Sequence, residues 1–193
     1  LAKIRGIRQQ WQEEENERQV IYMKIGVISD THDNIYLMKK AVDIFRDKKI
    51  DMLLHAGDHV APFTCMVWEE LGKEVIAVYG NNDGDHAFLQ KKFRKIGRIY
   101  ERPREIILHK RKIMMLHEPD KLNEFSQAGK YDLVIYGHTH RQKIYHEGKT
   151  LVVNPGEGCG WITGKATALT IDLDSMEVEN LLIGESPLPP LAS

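Results

Sequence analysis

Short apolar runs, each closed by a glycine or a polar residue, punctuate this chain at 24–28, 52–54, 75–79, 113–116 and 133–136. Runs this short and this rich in Val and Ile predict buried strands. After the first run, Ile35, Met38, Ala41, Val42 and Phe45 recur at helical spacing. Pro62 opens a second expected helix carrying Phe63, Met66, Val67 and Leu71, and 87–96 predicts a third, basic one. Farther on, 104–109 and 112–116 predict a hairpin about Lys110-Arg111, and Leu122 with Phe125 marks a short helix before 133. The remainder alternates. Segments 142–146 and 150–153 flank Glu147-Gly148, and 166–172 and 176–182 flank Asp174-Ser175, which predicts two more hairpins. A strand–helix first half followed by a strand-rich second half predicts an α/β fold, with two sheets face to face and helices outside.

The ends read differently. Residues 1–22 include the polar stretch Gln9-Gln10-Trp11-Gln12-Glu13-Glu14-Glu15 and predict an extension that the fold does not need. It is either a segment foreign to the domain or an accessory helix anchored by Ile4, Ile7 and Trp11. The domain is expected over 23–184, with 185–193 as a tail, because Pro187, Pro189 and Pro190 oppose strand and helix alike. A chain of 193 residues is long enough for one domain with a sizeable core. Hydrophobic residues at 42% and charged residues at 28% are ordinary for a soluble protein. A formal net charge of -1 gives no general attraction to nucleic acid or membrane. No apolar stretch approaches the roughly 20 residues that span a bilayer. Cys65 and Cys159, in unlike surroundings, favour a reducing, cytoplasmic setting over a disulfide.

Chemistry enters at the ends of the apolar runs. Directly after them come Asp30-Thr31-His32, Gly57-Asp58, Gly80-Asn81-Asn82-Asp83, His117 and Gly137-His138-Thr139-His140. Singly, each has a structural reading: Asp30 as a helix cap, Gly57-Asp58 and Asn81 as turn formers, His117 as a satisfied strand-end histidine. Together they put metal-type side chains beyond the carboxyl ends of five strands, where open α/β sheets bind ligands. Oxygen and imidazole donors without a thiolate suit Mn, Fe, Zn, Ni or Co rather than a structural cysteine site. Seven donors exceed the needs of one ion and fit two ions sharing a carboxylate. Two divalent ions, less Asp30, Asp58 and a bridging hydroxide, leave about +1, which attracts a phosphate anion.

The order D-x-H, G-D, G-N-x-D, H, G-H-x-H resembles the calcineurin-like metallophosphoesterase superfamily, from Met23 to about Ile183. Small size and Asn154-Pro155-Gly156 are similar to its compact phosphodiesterase branch, which also contains the retromer scaffold subunit of eukaryotes. The resemblance implies a four-layer α/β/β/α sandwich of two mixed sheets flanked by helices. It assigns Asp30, His32, Asp58 and His140 to a first ion, and Asp58, Asn81, His117 and His138 to a second. It further implies hydrolysis of a phosphodiester by a hydroxide bridging two divalent ions, with Mn or Ni the most effective. A scaffold role and phosphomonoesterase activity are the other functions it brings, and many relatives assemble as dimers or tetramers.

Two departures bear on the chemistry. Where many members have a phosphate-facing histidine assisted by the following acid, this chain has Asn82, with Asp83 retained, and the resemblance implies catalytic roles for Asp58, Asn82 and Asp83. Asn82 is expected to steady a non-bridging phosphate oxygen, but it cannot act as a general acid. Glu118-Pro119 replaces a frequent Gly-His, so Glu118 brings a negative charge unless it turns outward or joins a metal. His59 and His86 are the substitute proton donors to consider, and His55 is expected in the core. His109 and His146 belong to hairpin strands and are set aside. Lys91, Lys92, Arg94, Lys95 and Arg98 read as a solvated helix face rather than a nucleic-acid contact, and Cys159 as inert.

Overall fold

The computed structural model describes residues 23–186; the expectations for 1–22 and for the tail beyond 186 lie outside them. The first sheet is built on four parallel strands, β1 (Lys24–Ile28), β2 (Met52–His55), β3 (Glu74–Val78) and β4 (Gly97–Tyr100). Helices α1 (Ile35–Asp47), α2 (Cys65–Leu71) and α3 (His86–Phe93) make the crossovers between them. The second sheet has the order β5-β6-β7-β9-β8, from β5 (Arg104–Leu108), β6 (Arg111–Met115), β7 (Leu133–Ile135), β8 (Lys143–Glu147) and β9 (Thr150–Asn154). Within it β6, β7 and β9 are mutually parallel, and β5 and β8 close the edges antiparallel. The chain then returns to the first sheet as β10 (Lys165–Asp172), antiparallel to β1, with β11 (Val178–Glu185) beside it.

Two mixed sheets face each other over one apolar layer. Ile25, Val27, Leu54 and Val78 meet Ile113, Met115, Leu133, Ile135, Leu151 and Val153 there, all buried. The other face of the first sheet is covered by Leu37, Met38, Ala41, Val42 and Phe45 of α1, together with Trp68, Leu89 and Phe93. On the far side of the second sheet, α4 (Leu122–Ser126) supplies Leu122 and Phe125 against Met114, Val134, Tyr136 and Val152. These are the four layers that the order of elements implies.

Several local expectations need correction. Phe63 and Met66 are 52% and 58% exposed; Val67 and Leu71 are buried as expected, and Thr64, Cys65 and Trp68 complete the face. The segment opens as a 3-10 turn over Pro62–Thr64 before α2 begins, and tighter winding rotates the apolar face. The hairpin turn lies at His109-Lys110, both in left-handed backbone, one residue earlier than expected. Strand β4 is absent from the sequence reading because Gly-Arg-Ile-Tyr holds one buried apolar residue and no apolar run. Strand β11 continues through Glu185, one residue into the expected tail.

Candidate metal centre

The strands β1, β2, β3, β6 and β7 end at one rim, and the loops leaving them turn abruptly. Asp30, His32, Asp58, His138 and His140 all adopt positive φ, between 37° and 66°. Such backbone costs roughly 1–3 kcal/mol per residue and persists only where neighbours hold it. Here the loops hold one another. Asp30 N donates to Gly57 O at 3.0 Å, Thr31 N and His32 N donate to Asp58 O, and His138 N donates to Asp30 Oδ2 at 3.0 Å. Gly137 is required by proximity, since a Cβ there would stand 1.9 Å from Ser29 Oγ. Asn154 Nδ2 fixes the same turn through Gly137 O at 2.8 Å and Thr139 Oγ1 at 3.0 Å.

The seven donor residues come together as two sets. His32 Nε2 lies 3.3 Å from Asp58 Oδ2 and 3.9 Å from Asp30 Oδ1, and His140 Nε2 lies 3.6 Å from the same Asp30 oxygen. On the other side Asn81 Oδ1 is 2.9 Å from His117 Nε2 and 2.8 Å from His138 Nδ1. His117 Nε2 is in turn 3.4 Å from Asp58 Oδ1. Each set therefore reaches a different oxygen of Asp58. Ligands about 2.0–2.2 Å from a shared ion stand roughly 3–3.5 Å apart, close to these spacings. His32 Nε2 is moreover buried with no hydrogen-bond partner, an orphan that a cation would satisfy. The donor set fits a divalent metal pair.

Burial and charge point the same way. Asp30, Asp58 and His117 are no more than 1% exposed and form a floor, while Asn81, Asn82 and His138 lie at the exposed mouth. Burial pushes the Asp30 carboxyl up against the pull of His117, Ser29 and His140. Burial would also raise Asp58, but the hydrogen bond and charge of His117 and the two Asn82 N–H groups outweigh it and hold the carboxyl well below its ordinary range. His117 and His140 are raised: burial lowers each, and their carboxylate partners more than reverse that.

The remaining candidates take distinct places. Asn82 donates its backbone N–H to Asp58 Oδ1 at 2.9 Å and its side-chain Nδ2 to Asp58 Oδ2 at 2.7 Å. Asp83 faces backbone amides. Its carboxylate accepts from Val60 N and Gly80 N at 2.7 Å and from Asp58 N at 3.2 Å, so it clamps the strained loop that carries Asp58. His59 is buried, stacked on His55 and edge-on to Phe93, and turns away from the donor sets. His86 stacks on Tyr79 and bonds Asp83 O, so neither histidine stands in for the missing acid. His55 is a core residue, paired with Thr31 Oγ1 and Gly57 N. Glu118 accepts from Nε and Nη2 of Arg102, whose Nη1 donates to Tyr79 O at 3.0 Å, so its charge is neutralised within the rim. His109 bonds Asp174 at 2.8 Å, at the opposite end of β6 from His117.

Two residues escape the sequence reading. Arg102 sits in an unremarked Glu101-Arg102-Pro103 link between strands. Glu157 follows β9 as the donors follow their strands, and accepts from His140 Nδ1 at 2.7 Å. Burial would raise its carboxyl, but bonds from His140, Thr163 and Ile162 lower it to about 2. Its position just beyond the apolar run 150–153 was the available signal. Cys159 Sγ lies 3.3 Å from Glu157 Oε2, and burial raises this thiol far above the range where it would be a thiolate.

Comparison with known proteins agrees with the geometry. The sequence model of the Calcineurin-like phosphoesterase superfamily domain matches residues 23–176. The chain is 35% identical over 165 residues to Phosphodiesterase MJ0936 of Methanocaldococcus jannaschii, covering 83% of this chain and 99% of that protein. A probable metallophosphoesterase of Methanothermobacter thermautotrophicus is 32% identical over 144 residues, covering 69% of this chain and 76% of the relative. Among solved structures, one described as a novel archaeal phosphodiesterase superposes with a TM-score of 0.79 at 35% identity, over 83% of this chain and 99% of its own. Vps29 of Entamoeba histolytica, at 18% identity and a TM-score of 0.61 over 83% of this chain and 99% of its own, shares the fold. The chain belongs to the calcineurin-like phosphoesterase superfamily.

Proposed function

We propose that this protein is a phosphodiesterase dependent on two divalent metal ions. The observation that carries the reading is the meeting of two donor sets on the two oxygens of the buried Asp58, under an open mouth. Its relative of similar length is named a phosphodiesterase, which supports the same class. A bound pair, Mn or Ni first and Zn, Fe or Co next, would lower the pKa of a shared water and clamp the phosphoryl oxygens.

The chain's own residues do the rest. Asp30, Asp58 and His117 close the floor to bulk water, so a substrate phosphate enters from the side of Asn81, Asn82 and His138. One Asn82 Nδ2 hydrogen is held by Asp58, and the second is the one available to a non-bridging phosphate oxygen. Asn82 thereby aligns the shared carboxylate and steadies the substrate. No side chain at this position can protonate a leaving oxygen, a contribution worth roughly 100- to 10,000-fold. Esters with stable leaving groups, such as nitrophenolate, are therefore the preferred substrates, and alkyl esters the poorest.

The test compares bis-nitrophenyl phosphodiester with the nitrophenyl phosphomonoester on protein stripped by chelator and reloaded with Mn or Ni. Faster turnover of the diester, lost in His140→Ala, is expected. A faster monoester would make the protein a phosphomonoesterase, and stoichiometric metal binding without turnover of either would favour a scaffold.

A further inference from the structure

We propose that Glu157 is the positioning residue of the first ion's site, choosing which nitrogen His140 presents to the metal and strengthening it as a donor. This rests on the two-ion reading above. Glu157 stands three residues beyond β9, in a loop laced to the one bearing Asp30: Gly158 N donates to Ser29 O at 2.8 Å and Cys159 N to Asp30 O at 3.1 Å. The side chain is 1% exposed, and both oxygens are occupied by donors. Oε1 accepts from Thr163 N at 2.5 Å and Thr163 Oγ1 at 2.7 Å, and Ile162 N bridges both oxygens at 3.1 Å. Oε2 accepts from His140 Nδ1 at 2.7 Å and from Cys159 Sγ at 3.3 Å. Among the described residues, His140 is its one ion-pair partner.

Both Glu157 oxygens already face backbone and hydroxyl donors as acceptors, so the 2.7 Å contact with His140 is made by an Nδ1–H. That leaves the Nε2 lone pair facing Asp30 Oδ1, where the first set converges. The second set is built differently. His117 Nδ1 donates to a neutral backbone carbonyl, Ala56 O, at 2.8 Å. An anion behind one imidazole and a neutral carbonyl behind the other make the two ion sites unequal, because a carboxylate partner raises the basicity of a ligating histidine. The first site is the tighter one.

Glu157→Gln is the matched variant. Its amide cannot accept at both ends, so if its oxygen faces Thr163 and Ile162, its NH2 meets the Nδ1–H of His140. Calorimetric titration of chelator-stripped protein with Mn is expected to show two ions, with the tighter one weakened about 10- to 100-fold in E157Q and the weaker one unmoved. In an H140A background the same substitution is expected to add no further loss. An E157Q protein that folds and keeps both affinities would overturn the proposal, as would an equal loss in the H140A background, which would mean that Glu157 acts through the loop alone. Should E157Q not fold, imidazole nitrogen NMR on the wild-type, metal-free protein at alkaline pH decides. An Nδ1–H tautomer at His140 supports the proposal, and an Nε2–H tautomer overturns it. Wild-type protein that binds no Mn at all would instead bring down the two-ion reading itself.

Discussion

Asp58 holds the most consequential position at the scale of single residues, because each oxygen serves one donor set and Asn82 bonds both. Removing one outer partner of a metal ligand costs about 10- to 100-fold in affinity, and on the proposed two-ion reading Asp58→Ala would remove a ligand from both ions. Loss of both ions from the purified variant is expected by elemental analysis, with turnover below about 1% of wild type. Arg102 predicts a different behaviour. Burial raises the Glu118 carboxyl, but the Arg102 hydrogen bonds outweigh it and hold it below its ordinary 4.5. A carboxyl lowered in the folded state stabilises above its unfolded pKa and loses that contribution as pH falls through the folded one. Because both groups are a quarter exposed, Arg102→Ala is expected to cost only about 1 kcal/mol at neutral pH in urea denaturation. That difference should shrink as pH drops below 4.5, and a gap that stays constant would mean the ion pair contributes nothing. The convergence of the seven candidate donors was legible because each follows an apolar run. The setting of Asp83 was not legible, since its spacing from Asn81 does not reveal that its oxygens accept from backbone amides.

At the scale of elements, the site depends on strand ends that approach closer than most side chains permit. A Cβ at Gly80 would lie 2.0 Å from Asp58 Oδ1 and 2.2 Å from Asp58 N. Gly80→Ala is expected to destabilise the fold by about 1–3 kcal/mol and to weaken metal binding with it, read by thermal unfolding and calorimetry on the same sample. An unperturbed metal affinity would mean that the β2 and β3 loops move independently. Helix α1 was readable to its first residue because its five apolar positions share one face, and Asn34 caps it through Leu37 N. The Pro62 segment was not, since a helical wheel assumes one winding and the chain uses two. Strand β4 offered Gly-Arg-Ile-Tyr, with Ile99 alone buried and no apolar run to register.

At the scale of the whole molecule, the layered order follows from where apolar runs sit: strands buried on both faces require cover on both. Three helices back the first sheet, and the five-residue α4 with Phe125 backs the second. Parallel strands in both sheets direct their carboxyl ends to one rim, which is why residues as distant as Asp30 and His140 come within 3.6 Å. No helix among the described residues is long and apolar enough to cross a membrane. What pattern alone could not supply was the pairing of β9 with β7, a long-range choice that sets Glu157 beside His140. The central claim is that two ions act together across Asp58. The most direct measurement follows hydrolysis of bis-nitrophenyl phosphodiester while Mn is added to stripped protein in fractions of an equivalent. A rate that stays low through the first equivalent, climbs through the second and levels at two is expected. A rate already level at one equivalent, or absent at every ratio, would contradict the account.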